Sequence, residues 1–196
     1  MNIKTKILND YDIRYDLKSF LSQKHPRPIK IIEELRIHNG NAIADIVTIH
    51  NTMHCYEIKG DNDSIIRAKQ QAEYYNTSFP KITLVTTEKH YKNALKKVPD
   101  FWGIILCKDN GNKTKFKYIR KSKLNPILDK RLALLSLWKS ELEELAKNLN
   151  INNLKKSSNR DIFATRIAED ITLNTLKNNM SQIISKRETK NDWSYK

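Results

Sequence analysis

Two runs decide the reading of this chain: Ala42-Ile43-Ala44-Asp45-Ile46-Val47-Thr48-Ile49 and Met53-His54-Cys55-Tyr56-Glu57-Ile58-Lys59. Both are short, apolar and rich in β-branched or aromatic residues. The turn-like Asn39-Gly40-Asn41 and His50-Asn51-Thr52 bound them, so they read as neighbouring strands of a meander. Their oddity is charge inside an apolar strand. With a period of two, Glu57 and Lys59 point to one face while Ile58 points to the other, which makes carboxylate and ammonium neighbours. Asp45 lies on the adjacent strand. Burying facing carboxylates is costly unless a cation or hydrogen bonds compensate, and an oxygen-lined Mg2+ site or a close lysine would do so. The acid-x-Lys triplet alone carries little weight, because Asp16-Leu17-Lys18 and Glu188-Thr189-Lys190 repeat it on polar helix faces. Only Glu57-Ile58-Lys59 ends an apolar strand with an aspartate upstream on the neighbouring one.

Outward from these strands, Asn9/Asp10 cap a helix to about Gln23, with Ile13, Leu17, Phe20 and Leu21 at helical spacing before His25-Pro26-Arg27-Pro28. Ile29 to Ile37 is the first strand of the meander. A helix from about Ser64 to Asn76, a strand over Ile82 to Thr86, a helix over Glu88 to Lys97 and a strand over Phe101 to Cys107 follow. Asp109-Asn110-Gly111-Asn112 then makes a tight hairpin into a basic strand. After Asn125-Pro126, Leu128, Leu132, Leu135, Trp138, Leu142, Leu145 and Leu149 predict one long helix with a break near Ser140. Helices over Arg160 to Glu169 and Thr172 to Lys186 complete the chain. The expected architecture is α/β over residues 1–124, a mixed sheet flanked by helices, followed by an all-helical region over 125–196.

These residues resemble a known family. Glu34, Ala44-Asp45 and Glu57-Ile58-Lys59, in an α-β-β-β-α-β order, look like the PD-(D/E)XK phosphodiesterase superfamily, the fold of restriction endonucleases and many repair nucleases. Asp12-Ile13-Arg14, Arg67 with Gln71 and Tyr75, Leu84-Val85, Val98-Pro99-Asp100-Phe101-Trp102-Gly103, Leu137-Trp138-Lys139-Ser140-Glu141 and Asp192-Trp193 extend the likeness to a bacterial and phage branch. One departure is Ala44 where the family has Pro; that Pro makes no metal contact in the family. The resemblance implies that Asp45 and Glu57 bind one or two divalent ions, Mg2+ or Mn2+, with the Ile58 carbonyl. It implies that Lys59 holds or deprotonates the attacking water and that Glu34 completes the shell. Glu33 is the rival for that last role, since adjacent residues on a strand point oppositely. Gln71 and Tyr75 resemble the Gln-x-x-x-Tyr element of RecB-type nucleases; Gln70 and Tyr74 have the same spacing, and helix packing is the alternative reading. His50, His54 and Cys55 lack a fourth ligand for zinc. His54 and Tyr56 read as the far face of the strand, and Trp102 and Trp138 as core.

The 196 residues hold 36 Lys+Arg against 22 Asp+Glu, a net charge of +14, which favours a polyanionic partner. Residues 1–110 carry 17 basic and 13 acidic side chains, residues 111–196 carry 19 and 9, so most of the excess lies at the back. Lys113, Lys115, Lys117, Arg120, Lys121 and Lys123 share one stretch with Phe116 and Tyr118. Its alternation fits an edge strand protected by lysines as well as one that contacts phosphates. In the tail, Lys155, Lys156, Arg160 and Arg166 fall on a loose likeness to the helix-extension-helix SAP motif; a plain three-helix appendage is the alternative. Two cysteines without a partner motif, no signal peptide and no apolar run long enough to span a membrane fit a reducing cytoplasm. The expected function is a Mg2+-dependent deoxyribonuclease acting on double-stranded or branched DNA, its basic helical tail helping to hold the duplex, with an inactive DNA-binding module of the same fold as the rival. A basic RNA-binding protein would explain the charge but not the acids inside strands. One site cuts one strand at a time, so double-strand cleavage would call for a second copy, as in a homodimer.

Overall fold

The computed structural model describes residues 7–111, 113–152 and 154–188, without the side chains of 65–70. The helix α1 (Asp10–Ser22) leads into strands β1 (Lys30–Ile37), β2 (Ala42–Ile49) and β3 (Met53–Lys59). Then come α2 (Ile65–Ser78), β4 (Lys81–Thr87), α3 (Glu88–Lys97), β5 (Gly103–Asp109) and β6 (Thr114–Arg120), and finally α4 (Lys130–Leu134), α5 (Lys139–Asn148), α6 (Arg160–Asp170) and α7 (Leu173–Ser185). The six strands form one mixed sheet in the order β1-β2-β3-β4-β5-β6. Pairing is antiparallel from β1 to β3 and between β5 and β6, and parallel from β3 to β5, where α2 and α3 supply the crossovers.

Helix α1 forms as its spacing predicts: the Asn9 side chain caps it by accepting from Asp12 N–H at 2.8 Å. Its buried Ile13, Leu17 and Leu21 press on one sheet face, against Ile46, Tyr56, Ile58, Val85 and Ile105. The other face meets α2, with Tyr75 and Phe79 fully buried. There the apolar faces of α4 to α7, from Leu134 to Ile184, join the same cluster as the sheet. Trp102 is core as expected, its indole N–H donating to Asn76 Oδ1 at 2.7 Å. Removing one of these large side chains costs about 2–5 kcal/mol.

The tail departs from the single long helix predicted after Pro126. Asp129 caps α4, which ends at Leu134, and α5 begins at Lys139. The break lies at 135–138, earlier than Ser140, because two distant arginines receive its freed carbonyls. Arg160 Nη2 donates to Leu135 O and Leu137 O at 2.7 and 2.6 Å, and Arg187 Nη2 donates to Ser136 O at 2.8 Å. Trp138, expected in the core, stands 56% exposed with the Arg187 guanidinium 4.4 Å above its ring. Asp192 and Trp193 lie outside the described residues. No helix among those described is long and apolar enough to cross a membrane.

Candidate active site

The sheet opens at one place. On β1, Ile32 and Leu35 face the same cluster although three residues apart, so the alternation slips between them. The cause is Glu34, whose φ of 55° is left-handed, a conformation a glutamate adopts only under constraint. On β2, Ala42 and Ala44 share that face with Val47 and Ile49, so the slip recurs at Asp45 and Ile46. The β1–β2 register pairs Glu33 with Ile46 and Leu35 with Ala44, skipping the position where Glu34 would meet Asp45. Pairing of β2 with β3 runs from Ile49↔Met53 to Ile46↔Tyr56 and stops one step before Asp45 would meet Glu57. The strands part there, and side chains replace the ladder: Ile58 N–H donates to Asp45 Oδ2 at 2.8 Å.

Glu57 is 1% exposed, and both its oxygens are engaged. Lys59 Nζ donates to Oε1 at 2.5 Å, while the Tyr75 hydroxyl lies 2.7 Å from Oε2 and 2.8 Å from Ile43 O. Lys59 also donates to Gln71 Oε1 at 3.2 Å. The structure thus brings Glu57, Lys59, Gln71 and Tyr75 together and puts α2 in the phase that points Tyr75, not Tyr74, inward. Tyr74 meets His38 edge to face instead. The side chains of Arg67 and Gln70 lie outside the described residues.

Arg14, on the inner face of α1, closes the other side of the fork. Its Nη2 donates to Asp45 Oδ1 at 3.0 Å and to Asp10 Oδ2 at 2.8 Å, and its Nη1 to Glu34 Oε1 at 3.2 Å. From the sequence, Arg14 had no role and Asp10 only that of a helix cap; the i,i+4 spacing of the two was the available signal. Between the rivals, Glu34 joins this cluster through Arg14, whereas Glu33 pairs with Lys18 at 2.5 Å. Glu34 remains 70% exposed and reaches Asp45 only through the guanidinium.

Burial and then the neighbouring Glu57 charge push the Asp45 carboxyl up to about 7, against the help of Ile58 N–H and Arg14. Burial opposes the Lys59 charge too, but Glu57, Asp45 and Asp63 together outweigh it and leave the amine more strongly protonated than usual. A lysine so placed holds its proton, which favours charge stabilisation over service as a base. Burial, followed by Asp45, also raises Asp10, whose buried Oδ1 has no hydrogen-bond partner among the described residues.

Among the described residues, no group of three or more His, Cys, Asp and Glu is placed to hold a metal ion. The donor set at the fork is the pair Asp45 and Glu57. Two carboxylates that repel each other suit a hard cation such as Mg2+, which takes one or two carboxylates and leaves positions for water and phosphate. Ile58 contributes through its N–H rather than through a shown carbonyl contact. His54 and Tyr56 stack at 4.3 Å, Tyr56 within the cluster under α1, and burial drives His54 down to about 3. Cys55 is buried and free.

Three of the residues expected at nucleic acid need correcting. Arg120 spends Nε on Trp102 O at 2.7 Å and Nη2 on Pro99 O at 2.9 Å, tying the β5–β6 end together. Arg160 is committed to the α4–α5 break. Tyr75 is fully buried against Glu57 and offers no face to a base. Lys113, Lys115, Lys117 and Lys121 are exposed on or beside the edge strand β6, as are Lys155 and Lys156 before α6.

Fold and site together define a mixed α/β chain whose diverging strands hold two carboxylates, a lysine and an arginine in one hydrogen-bonded cluster. The sequence model of the family described as Bacteriophage P4 protein cII matches residues 3–195, and the chain belongs to that family. Protein cII of Enterobacteria phage P4 is 27% identical over 191 residues, covering 96% of this chain and 72% of that protein. A solved structure, the SPO1766 protein of unknown function from Silicibacter pomeroyi, matches with 12% identity. It covers 73% of this chain and 83% of that one at a TM-score of 0.38.

Proposed function

We propose that this chain is a Mg2+- or Mn2+-dependent deoxyribonuclease of the PD-(D/E)XK type, phage-encoded and acting on phosphodiester bonds. The observation that carries the reading is the fork itself, where Asp45 and Glu57 occupy the first positions beyond the β2–β3 pairing and Lys59, two residues on, is bonded to Glu57. Asp45 and Glu57 would hold the ion, which when bound neutralises phosphate charge and acidifies the attacking water. Tyr75 and Ile58 N–H orient the two carboxylates. Lys59, kept protonated by Glu57 and aligned by Gln71, stabilises charge on the phosphorane and orients the water. The exposed lysines of β6 and the tail supply phosphate contacts.

The rival reading keeps the fold as a DNA-binding module without hydrolysis. One observation favours it: Arg14 already pairs with Asp45, and all four oxygens of Asp45 and Glu57 have donors within the chain. The test is incubation with supercoiled, linear and single-stranded DNA and with RNA, in Mg2+, Mn2+ or EDTA. Cleavage that needs the metal and vanishes in Lys59→Ala supports the nuclease. Binding without cleavage under every condition supports the rival.

A further inference from the structure

A groove of about 1040 Å³ runs between α1 and the edge strand β6. Arg14 leaves α1 toward Asp45, while Tyr15 and Asp16, the next two residues, line the groove. The two elements are locked together: Asp16 Oδ2 accepts Thr114 N–H at 2.6 Å, and the Phe20 and Phe116 rings pack at 5.1 Å. Both rings, together with Ile31 and Leu106, make an apolar floor. Along the rim stand Arg27, Lys113, Lys115 and Lys117, all exposed, and among the described residues no carboxylate pairs with them. Two further cations of the lining differ, Lys18 being held by Glu33 and Lys108 by Glu88. Among the described residues Asp16 is the lone acid of the lining, and it is spent on the backbone of β6.

Edge protection explains why lysines alternate along β6. It does not explain an apolar, ring-lined floor beneath them or the exposed Tyr15 beside them, which is 56% accessible. A duplex offers this groove only phosphates, because its base faces are stacked away. A single strand offers phosphates to the rim and a base face to Tyr15, the combination used by sequence-tolerant single-strand binders. We infer that the α1–β6 groove binds a single strand of nucleic acid, with Lys113, Lys115 and Lys117 on its phosphates and a base against Tyr15. Because α1 is the wall shared by groove and fork, the substrate of the proposed reaction then carries a single-stranded part beside its scissile bond. The inference deepens the nuclease reading but depends only on its nucleic-acid half.

Fluorescence anisotropy of the full chain in EDTA, where no cleavage occurs, tests it with labelled oligothymidylate and oligouridylate of about 15 nucleotides, within the range such grooves cover, and a duplex of equal length. Either single strand should bind about tenfold or more tighter than the duplex. Tyr15→Ala should weaken single-strand binding about tenfold. Lys115→Glu with Lys117→Glu should weaken it further and reduce the salt slope by about 1.4, the counterions of two phosphate contacts on a single strand. Equal or tighter duplex binding overturns the inference. So does lysine dependence with an indifferent Tyr15, or full displacement by polyglutamate at equal charge, either of which marks a general anion surface. Groove binding confirmed in EDTA with no cleavage in Mg2+ would sink the nuclease reading and leave this one standing, and groove-independent cleavage would do the reverse.

Discussion

The fork between β2 and β3 and the edge strand β6 both place charge on the same sheet, and they do so in opposite ways. At the fork Glu57 is 1% exposed and every charge has a partner of the other sign. On and beside β6, Lys113, Lys115 and Lys117 point to solvent, with one sign only and no carboxylate against them among the described residues. Burial makes the first set expensive, strongly coupled and sensitive to single substitutions. Exposure makes the second cheap, additive and screened by salt. The difference separates a centre built to act at one bond from a surface built to hold a polyanion, and it can be broken by substitution in either region.

The largest effect should come from the fork. Lys59→Ala should lower the cleavage rate at saturating substrate by about 10²–10³-fold, the usual cost of removing one donor aimed at developing charge. Glu57→Ala should also destabilise the fold by about 3–5 kcal/mol in denaturant titrations, because it leaves the buried Lys59 ammonium without its counter-charge. By contrast, Lys115→Glu with Lys117→Glu should change stability by no more than about 0.5 kcal/mol. Comparable destabilisation in the two regions would erase the distinction drawn between them.

A smaller effect follows from Asp45. Its carboxyl titrates near 3.8 when unfolded and about 7 in the fold, so between those values the native state keeps a proton that the unfolded chain has released. This contribution is full below about pH 4 and is lost as pH rises toward 7, with a slope approaching about 1.4 kcal/mol per pH unit. Asp45→Asn should flatten that decline in stability measured from pH 4 to 8. An unchanged slope would mean that Arg14, Asp10, Glu57 and Lys59 around it do not leave Asp45 protonated. The smallest effect expected is that of Arg14→Gln, which removes the resident cation and should tighten Mn2+ binding to the fork several-fold in a calorimetric titration. Weaker binding would make Arg14 a support of the site rather than a competitor for it.

Much of the fork was legible because charge inside apolar β-branched runs is rare, and period two already set Glu57 and Lys59 on one face. The α2 spacing showed that a Gln and a Tyr face the same way but not which pair, since the helix phase depends on packing against β2 and β3. The left-handed Glu34 had no signature, because such turns advertise themselves through Gly or Asn, and the slip it creates belongs to two strands together. Arg14 was hidden for a similar reason: an arginine on an apolar helix face reads as a snorkelling side chain until the partner strand is in place. Arg120 and Arg160 misled because composition counts charge without showing where guanidinium donors go. They end on backbone carbonyls, and the break at 135–138 became explicable only through contacts from Arg160 and Arg187 far along the chain.

The central claim is that the fork performs chemistry while the basic strand provides grip, and steady-state cleavage in Mg2+ tests it most directly. Lys59→Ala and the Lys115→Glu/Lys117→Glu variant are to be measured over a range of DNA concentrations, each first shown to be folded. The account predicts that Lys59→Ala loses kcat with little change in KM, whereas the double variant raises KM and regains near-normal kcat at high substrate or low salt. Cleavage undiminished in Lys59→Ala, or a loss of kcat shared equally by both variants, would contradict it.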